Sequence, residues 1–315
     1  PAGSNFDGTR IEAVHVRTRE VRTLYESRNG ANCGVATWHP RLPRVAFILG
    51  PEQSALSPSP LRGEGWSGGE VSTPQATPTL TLPPPRGREP DTWTYGPARR
   101  QGVVVDANTP GVATPLDARD LTPPFTPGAL RGGSHVHVWN PAGDRVSFTY
   151  DDHILDTSTN PDAEPNQRNI GVSVIGSPVT VPRTHPRNHD GSAFSVLVSK
   201  TVAKPTPGSD EISRAFEEAW LGDRRLAFQG LVTLADGSVI SEVFLLELPD
   251  DLTTPGDGPL EGTPTRRPAP PRGAVQRRLT RTEAHRFPGL SGPRHWLRSN
   301  PDGTRIGFLK MDDAG

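Results

Sequence analysis

Apolar and polar residues alternate in short runs along this chain, and proline and glycine punctuate the runs. Val136 and Val138 alternate with His135 and His137, Pro141-Ala142-Gly143 follows, and Val146 and Phe148 resume the alternation. A period of two predicts strands with one buried face. The proline–glycine step supplies a tight turn, because proline fixes φ and glycine accepts positive φ. The unit recurs: Trp38-His39-Pro40 precedes Val45-Ala46-Phe47, and Ser299-Asn300-Pro301-Asp302-Gly303-Thr304-Arg305 precedes Ile306-Gly307-Phe308. In all three copies the aromatic residue lies seven positions after the proline. Arg10 to Val16 and Glu20 to Tyr25 alternate around a turn at Arg17-Thr18-Arg19, and Val243 to Leu248 and Val275 to Thr280 repeat the theme. One segment predicts a helix instead. Ser209 to Trp220 opens with capping residues and spaces Ile212, Phe216 and Trp220 by four, one face of a short helix in a loop.

Between Gln53 and Pro90 the alternation stops. Leu56-Ser57-Pro58-Ser59-Pro60-Leu61-Arg62-Gly63 is echoed by Leu80-Thr81-Leu82-Pro83-Pro84-Pro85-Arg86-Gly87 around a Gly/Ser-rich middle, as a translated inverted-repeat element would read. Such sequence buries too little apolar surface to offset its ordering entropy, so residues 53–90 are expected to be a disordered insertion. Removing it joins Gly50-Pro51-Glu52 to Asp91-Thr92-Trp93-Thr94-Tyr95 as one hairpin loop.

Composition narrows the picture further. The 36 prolines and 33 glycines among 315 residues disfavour long helices. A net charge of −1 gives no field toward nucleic acid, and no apolar run is long enough for a membrane-spanning helix. The single cysteine, Cys33, excludes an internal disulfide and a cysteine zinc site. The chain opens at Pro1 and its sole methionine is Met311, so its natural start is expected to be missing; periplasm and cytoplasm both stay open.

Asn300-Pro301-Asp302-Gly303-Thr304-Arg305-Ile306-Gly307-Phe308 resembles the signature of TolB-like β-propeller blades. Longer stretches resemble the bacterial YidR-type propeller family: Leu130 to Val138, Arg145 to Tyr150, Val196 to Thr201, Pro207 to Ile212 and Pro270 to Thr280. The resemblance covers nearly all of the chain outside the insertion. It implies an all-β fold, a β-propeller of four-stranded blades, with residues 1–315 forming one partial domain. The ring is expected to be incomplete, with roughly four blades present and the outer half of a blade first. The parent protein would be longer.

Histidines gather where a propeller's inner strands surround its channel. His135 and His137 open one such strand, and side chains two apart are expected to share a face. His153 follows Asp151-Asp152 at the end of the paired strand, His39 and His295 lie near the corresponding turns, and His185 and His189 flank Pro186. His135, His137, His153 and His295 are the candidate ligand-binding residues, and His135, His137, His185 and His189 the candidate ligands of a divalent metal. The histidines can equally hold neighbouring blades in register. No Gly-x-Ser-x-Gly elbow or phosphate-binding glycine loop occurs. Ser134 beside His135 does not by itself give attack geometry. Asp312-Asp313 matches Asp151-Asp152 in repeat position, which points to architecture.

Two functions follow from the resemblance. One is a non-catalytic scaffold presenting its channel face to a protein or carbohydrate, with no nucleic acid or membrane partner. The alternative is a metal-dependent carbohydrate-active enzyme, like the oligogalacturonate lyases that share the TolB-like architecture. A fragment with exposed strand edges and no function of its own is a third possibility.

Overall fold

The computed structural model describes residues 8–28, 31–51, 96–290 and 296–311. The insertion expected at 53–90 and the candidate His295 lie outside the described residues. Strands β1 (Arg10–Val14) and β2 (Val21–Glu26) form an antiparallel pair. A first four-stranded sheet follows: β3 (Cys33–Trp38), β4 (Arg44–Leu49), β5 (Gln101–Asp106) and β6 (Ala113–Pro115). Within it Leu49 sits opposite Gln101, so β4 and β5 form one hairpin across the intervening residues. Two short parallel strands, β7 (Ala118–Arg119) and β8 (Ala129–Leu130), lead into the second sheet.

That second sheet comprises β9 (Gly132–Trp139), β10 (Arg145–Asp152), β11 (Asn169–Val179) and β12 (Gly191–Leu197). The third comprises β13 (Ile212–Trp220), β14 (Arg225–Thr233), β15 (Val239–Glu247) and β16 (Val275–Arg278). A last pair, β17 (Arg298–Ser299) and β18 (Ile306–Gly307), ends the described chain. Each four-stranded sheet is an antiparallel meander in which every strand pairs with its neighbours in sequence. The fold is all-β, consistent with a propeller-like arrangement. Among the described residues the sole α-helix is one turn, α1 (His153–Asp156), capped by Asp152, whose carboxylate accepts from Leu155 N at 3.0 Å. No described helix is long and apolar enough to cross a membrane.

The helix expected over Ser209–Trp220 is therefore corrected: Ile212–Trp220 is strand β13. A spacing of four suits a helix; as a strand, β13 carries two bulges, so Ile212 and Trp220 reach the core shared with the second sheet while Ala215, not Phe216, joins them there. Pairing decides between helix and strand. Ile212 lies opposite Val232 and Trp220 opposite Leu226, on a β14 whose own partner β15 is already in place.

The turns explain the repeat. Asn140 Oδ1 accepts the backbone N–H groups of Gly143, Asp144 and Arg145 at 2.9, 3.1 and 3.0 Å. Asn300 Oδ1 does the same for Thr304 and Arg305 at 2.9 and 2.8 Å. His39 takes that place in the first sheet, its Nδ1 accepting from Arg41 and Leu42 at 3.0 and 2.9 Å. Gly143 (φ 78°) and Gly303 (φ 66°) occupy the left-handed position that closes each turn.

The sheets pack face to face in chain order. Leu226, Phe228, Phe244 and Leu246 meet Ile170, Val172, Val196 and Val198 of the second sheet. The intervening Ala227, Val243 and Leu245 face the other way, toward Leu297. Ala46, Trp139 and Val146 join the first sheet to the second, and Ile11, Leu24 and Tyr25 pack against Val45, Phe47 and Val103. Alternation along a strand thus feeds two cores at once. Buried polar ties secure the long β15–β16 connection to the second sheet. Arg131, 1% exposed, bonds Asp152 Oδ2 at 2.8 Å, Arg266 O at 2.7 Å and Thr263 O. Glu164 holds Arg267 from the same side, Nε to Oε2 at 2.9 Å.

Candidate functional site

The first strand of each meander carries the same irregularity. Residues 35 and 36 of β3 stand opposite Phe47 alone, 136 and 137 of β9 opposite Phe148, and 217 and 218 of β13 opposite Phe228. These are β-bulges, in which two residues face one. Each places a non-glycine residue in the left-handed region: Val35 (φ 50°), Val136 (φ 61°) and Glu217 (φ 57°). For L-residues that conformation costs about 1–2 kcal/mol apiece. Strain of this kind persists where the surroundings over-determine it, and such places cluster at functional sites.

Three residues after each left-handed position comes a tryptophan: Trp38, Trp139 and Trp220. These ends meet Trp296, just ahead of β17, around a cavity of about 510 Å³. All the tryptophans among the described residues line it, with Val35, Val136, Val138, Glu218 and Arg298 among the rest of the wall. Trp38 is 54% exposed, whereas Trp139 and Trp220 are buried. Trp220 donates Nε1–H to Val138 O at 2.8 Å, and Trp139 packs on the His39 ring at 4.6 Å between centroids. The buried Nε1–H of Trp139 has no hydrogen-bond partner among the described residues.

Glu218 is the charged group of the inner wall, 2% exposed. Burial pushes its carboxyl up to about 7, against hydrogen bonding from Thr149 and Ser147 and with a further push from neighbouring Glu217. Oε2 accepts from Thr149 Oγ1 at 3.2 Å; Oε1 has no partner in normal geometry among the described residues. Arg298, also on the wall, is exposed and donates to Leu297 O at 3.2 Å.

The histidines lie elsewhere: none of His135, His137, His153, His185 and His189 lines the cavity. The Val136 bulge interrupts the alternation that was expected to put His135 and His137 on one face, and the two rings find different partners. His135 Nε2 is 3.8 Å from Asp151 Oδ2, which Arg168 also holds at 2.9 Å. His137 Nε2 is 3.2 Å from Ser134 Oγ, and that hydroxyl donates to Asp117 Oδ1 at 3.0 Å. Serine, histidine and aspartate thus meet, but all three are fully buried. Even a methyl group does not fit, since a Cβ on Gly102 would stand 2.3 Å from His137 Nε2 and 2.6 Å from Asp117 Oδ1. The trio instead anchors Gly102, whose N–H donates to Ser134 Oγ at 3.0 Å. Burial lowers His137 to about 3 and raises Asp117 to about 6, the latter partly offset by Arg119.

His189 is likewise lowered to about 3, by burial and then by Arg119, and its Nδ1 sits 3.1 Å from Asp190 O. His153 Nε2 lies 3.2 Å from Arg187 Nη1, and His185 Nδ1 accepts the Arg187 N–H at 3.1 Å. Among the described residues no three His, Cys, Asp or Glu side chains are grouped as a metal ion would need. Sequence reasoning found the histidines and passed over the tryptophans. The available signal was their matching place at the ends of the first strands, directly before the turns.

Residues 72–189 match the family model described as "Protein of unknown function (DUF3748)". The chain is 44% identical over 320 aligned residues to "Uncharacterized protein YidR" of Escherichia coli (strain K12), covering 100% of this chain and 67% of that relative. At that identity and coverage, the chain belongs to the YidR family.

Proposed function

We propose that the meanders are successive blades of a TolB-like β-propeller, and that the protein is a non-catalytic scaffold binding a protein or carbohydrate ligand at the channel face. In this reading β1–β2 is the outer half of one blade and β17–β18 the inner hairpin of another. The observation that carries it is the cavity: first strands of consecutive sheets, bulged alike, bring their tryptophans to one place. Indole surface exposed beside a few polar groups is what binding sites use, since it supplies large contact area at low entropic cost. The buried histidines serve in this reading to hold the blades together.

Indole fluorescence tests it, because the reporters are the site. Titration with neutral and acidic oligosaccharides and with short peptides is expected to give at least one saturable change, diminished in Trp38→Ala. No saturable change with any of them would sink the scaffold reading. Stoichiometric metal in the purified protein, lost in a His135→Ala, His137→Ala double variant, would move the function to the metal-dependent enzyme.

A further inference from the structure

Resting on that reading of the cavity, we propose that the group entering it is a compact organic cation, such as the alkylated ammonium of a larger ligand, held between the indoles and Glu218. The wall is dominated by Trp38, Trp139, Trp220 and Trp296, whose faces carry the negative side of the ring quadrupole. Cations are attracted to such faces, to tryptophan most strongly, and desolvation strengthens the attraction.

The polar groups of the wall narrow the choice. Asn140 is wholly engaged in its turn, and Thr37 Oγ1 donates to His137 O at 2.6 Å. Trp220 is committed to Val138 O. Glu218 Oε1 and the Trp139 N–H are buried without a hydrogen-bond partner among the described residues, and the wall also carries the indole N–H groups of Trp38 and Trp296 and the exposed Arg298 and Ser299. A cation with an apolar shell asks only for ring faces and one carboxylate. The groups around Glu218 favour it: Ser147 and Thr149 from β10 are neutral, Glu217 on its own strand adds negative charge, and Arg298, the cationic residue of the wall, is solvent-exposed. A bound cation would also favour the ionised form of an acid that burial otherwise holds up to about 7.

Calorimetry with choline and with dimethylbutanol, its neutral carbon isostere, separates charge from shape. Choline is expected to bind saturably and dimethylbutanol at least tenfold more weakly. Glu218→Gln keeps the shape and removes the charge, so its affinity for choline should fall at least tenfold while dimethylbutanol is unaffected. Trp38→Ala, at a half-exposed position whose truncation spares the fold, should weaken choline by a similar factor. Equal affinity for the isostere, or undiminished binding by Glu218→Gln, would overturn the proposal. Binding of an oligosaccharide without choline would overturn it while leaving the cavity as the site. Silence toward every probe would remove both.

Discussion

Asn140 and Asn300 occupy the same position of the same turn, yet their loss should cost different amounts. Asn140 is fully buried, and its Oδ1 accepts three backbone N–H groups, of which those of Gly143 and Arg145 are buried too. Asn300 is partly exposed, and the Thr304 and Arg305 donors it satisfies lie in solvent-exposed bonds. Truncation to alanine therefore leaves the buried Arg145 donor without its side-chain acceptor at one site, although Gly143 N–H keeps Asn140 O at 3.0 Å, and hands exposed donors to water at the other. A lost hydrogen bond costs about 1 kcal/mol net, and a buried donor left unpaired about 1–3 kcal/mol. For Asn140→Ala this sums to about 3 kcal/mol, since its inter-turn contact with Asp223 is lost as well. For Asn300→Ala the corresponding figure is about 1 kcal/mol. Urea unfolding of the full chain, with the m-value checked for constancy, reads the difference as a shift in midpoint. Equal losses, or a loss below about 1 kcal/mol at Asn140, would refute the reasoning that burial sets the cost.

Three further outcomes follow from the same geometry. Gly102→Ala should destabilise by about 1–3 kcal/mol, because its Cβ meets buried His137 and Asp117; unchanged thermal stability would mean the anchor is soft. Arg131→Met leaves Asp152 as an unpaired buried acid and should cost about 3–5 kcal/mol, with faster hydrogen exchange in the β15–β16 connection as the local signature. Glu218 is held protonated in the folded protein up to about 7, above its ordinary value near 4.5, so it lowers stability progressively as pH rises through that window. Glu218→Gln should then gain on the parent by up to about 3 kcal/mol between pH 4.5 and 7, with no further gain above; a pH-independent difference would contradict the shift.

The legible parts of this molecule were those where local chemistry decides alone. The hairpin from Gly132 to Asp152 could be read directly, because an Asn-Pro-x-Gly turn closes between two alternating runs and needs no distant partner. The pairing of β15 with β16 was legible across a 27-residue gap because both runs alternate. Strand β13 was not, since its apolar spacing suits a helix, and pairing with β14 through two bulges makes it a strand. The bulges were invisible for a related reason. Nothing in Ser134-His135-Val136-His137 marks Val136 as left-handed, yet that one dihedral angle sends the two imidazoles to different partners and gives the cavity wall to the valines. A site assembled from the ends of strands far apart in sequence leaves only the recurrence of tryptophan as its local trace.

The central claim is that these tryptophans form one site, and fluorine NMR on protein uniformly labelled with fluorotryptophan tests it most directly. The chain holds six tryptophans, and Trp→Phe substitutions assign the resonances. Saturating choline is predicted to shift the signals of Trp38, Trp139, Trp220 and Trp296 along a single binding curve. Separate curves for the four, or signals that stay in place, would contradict the account.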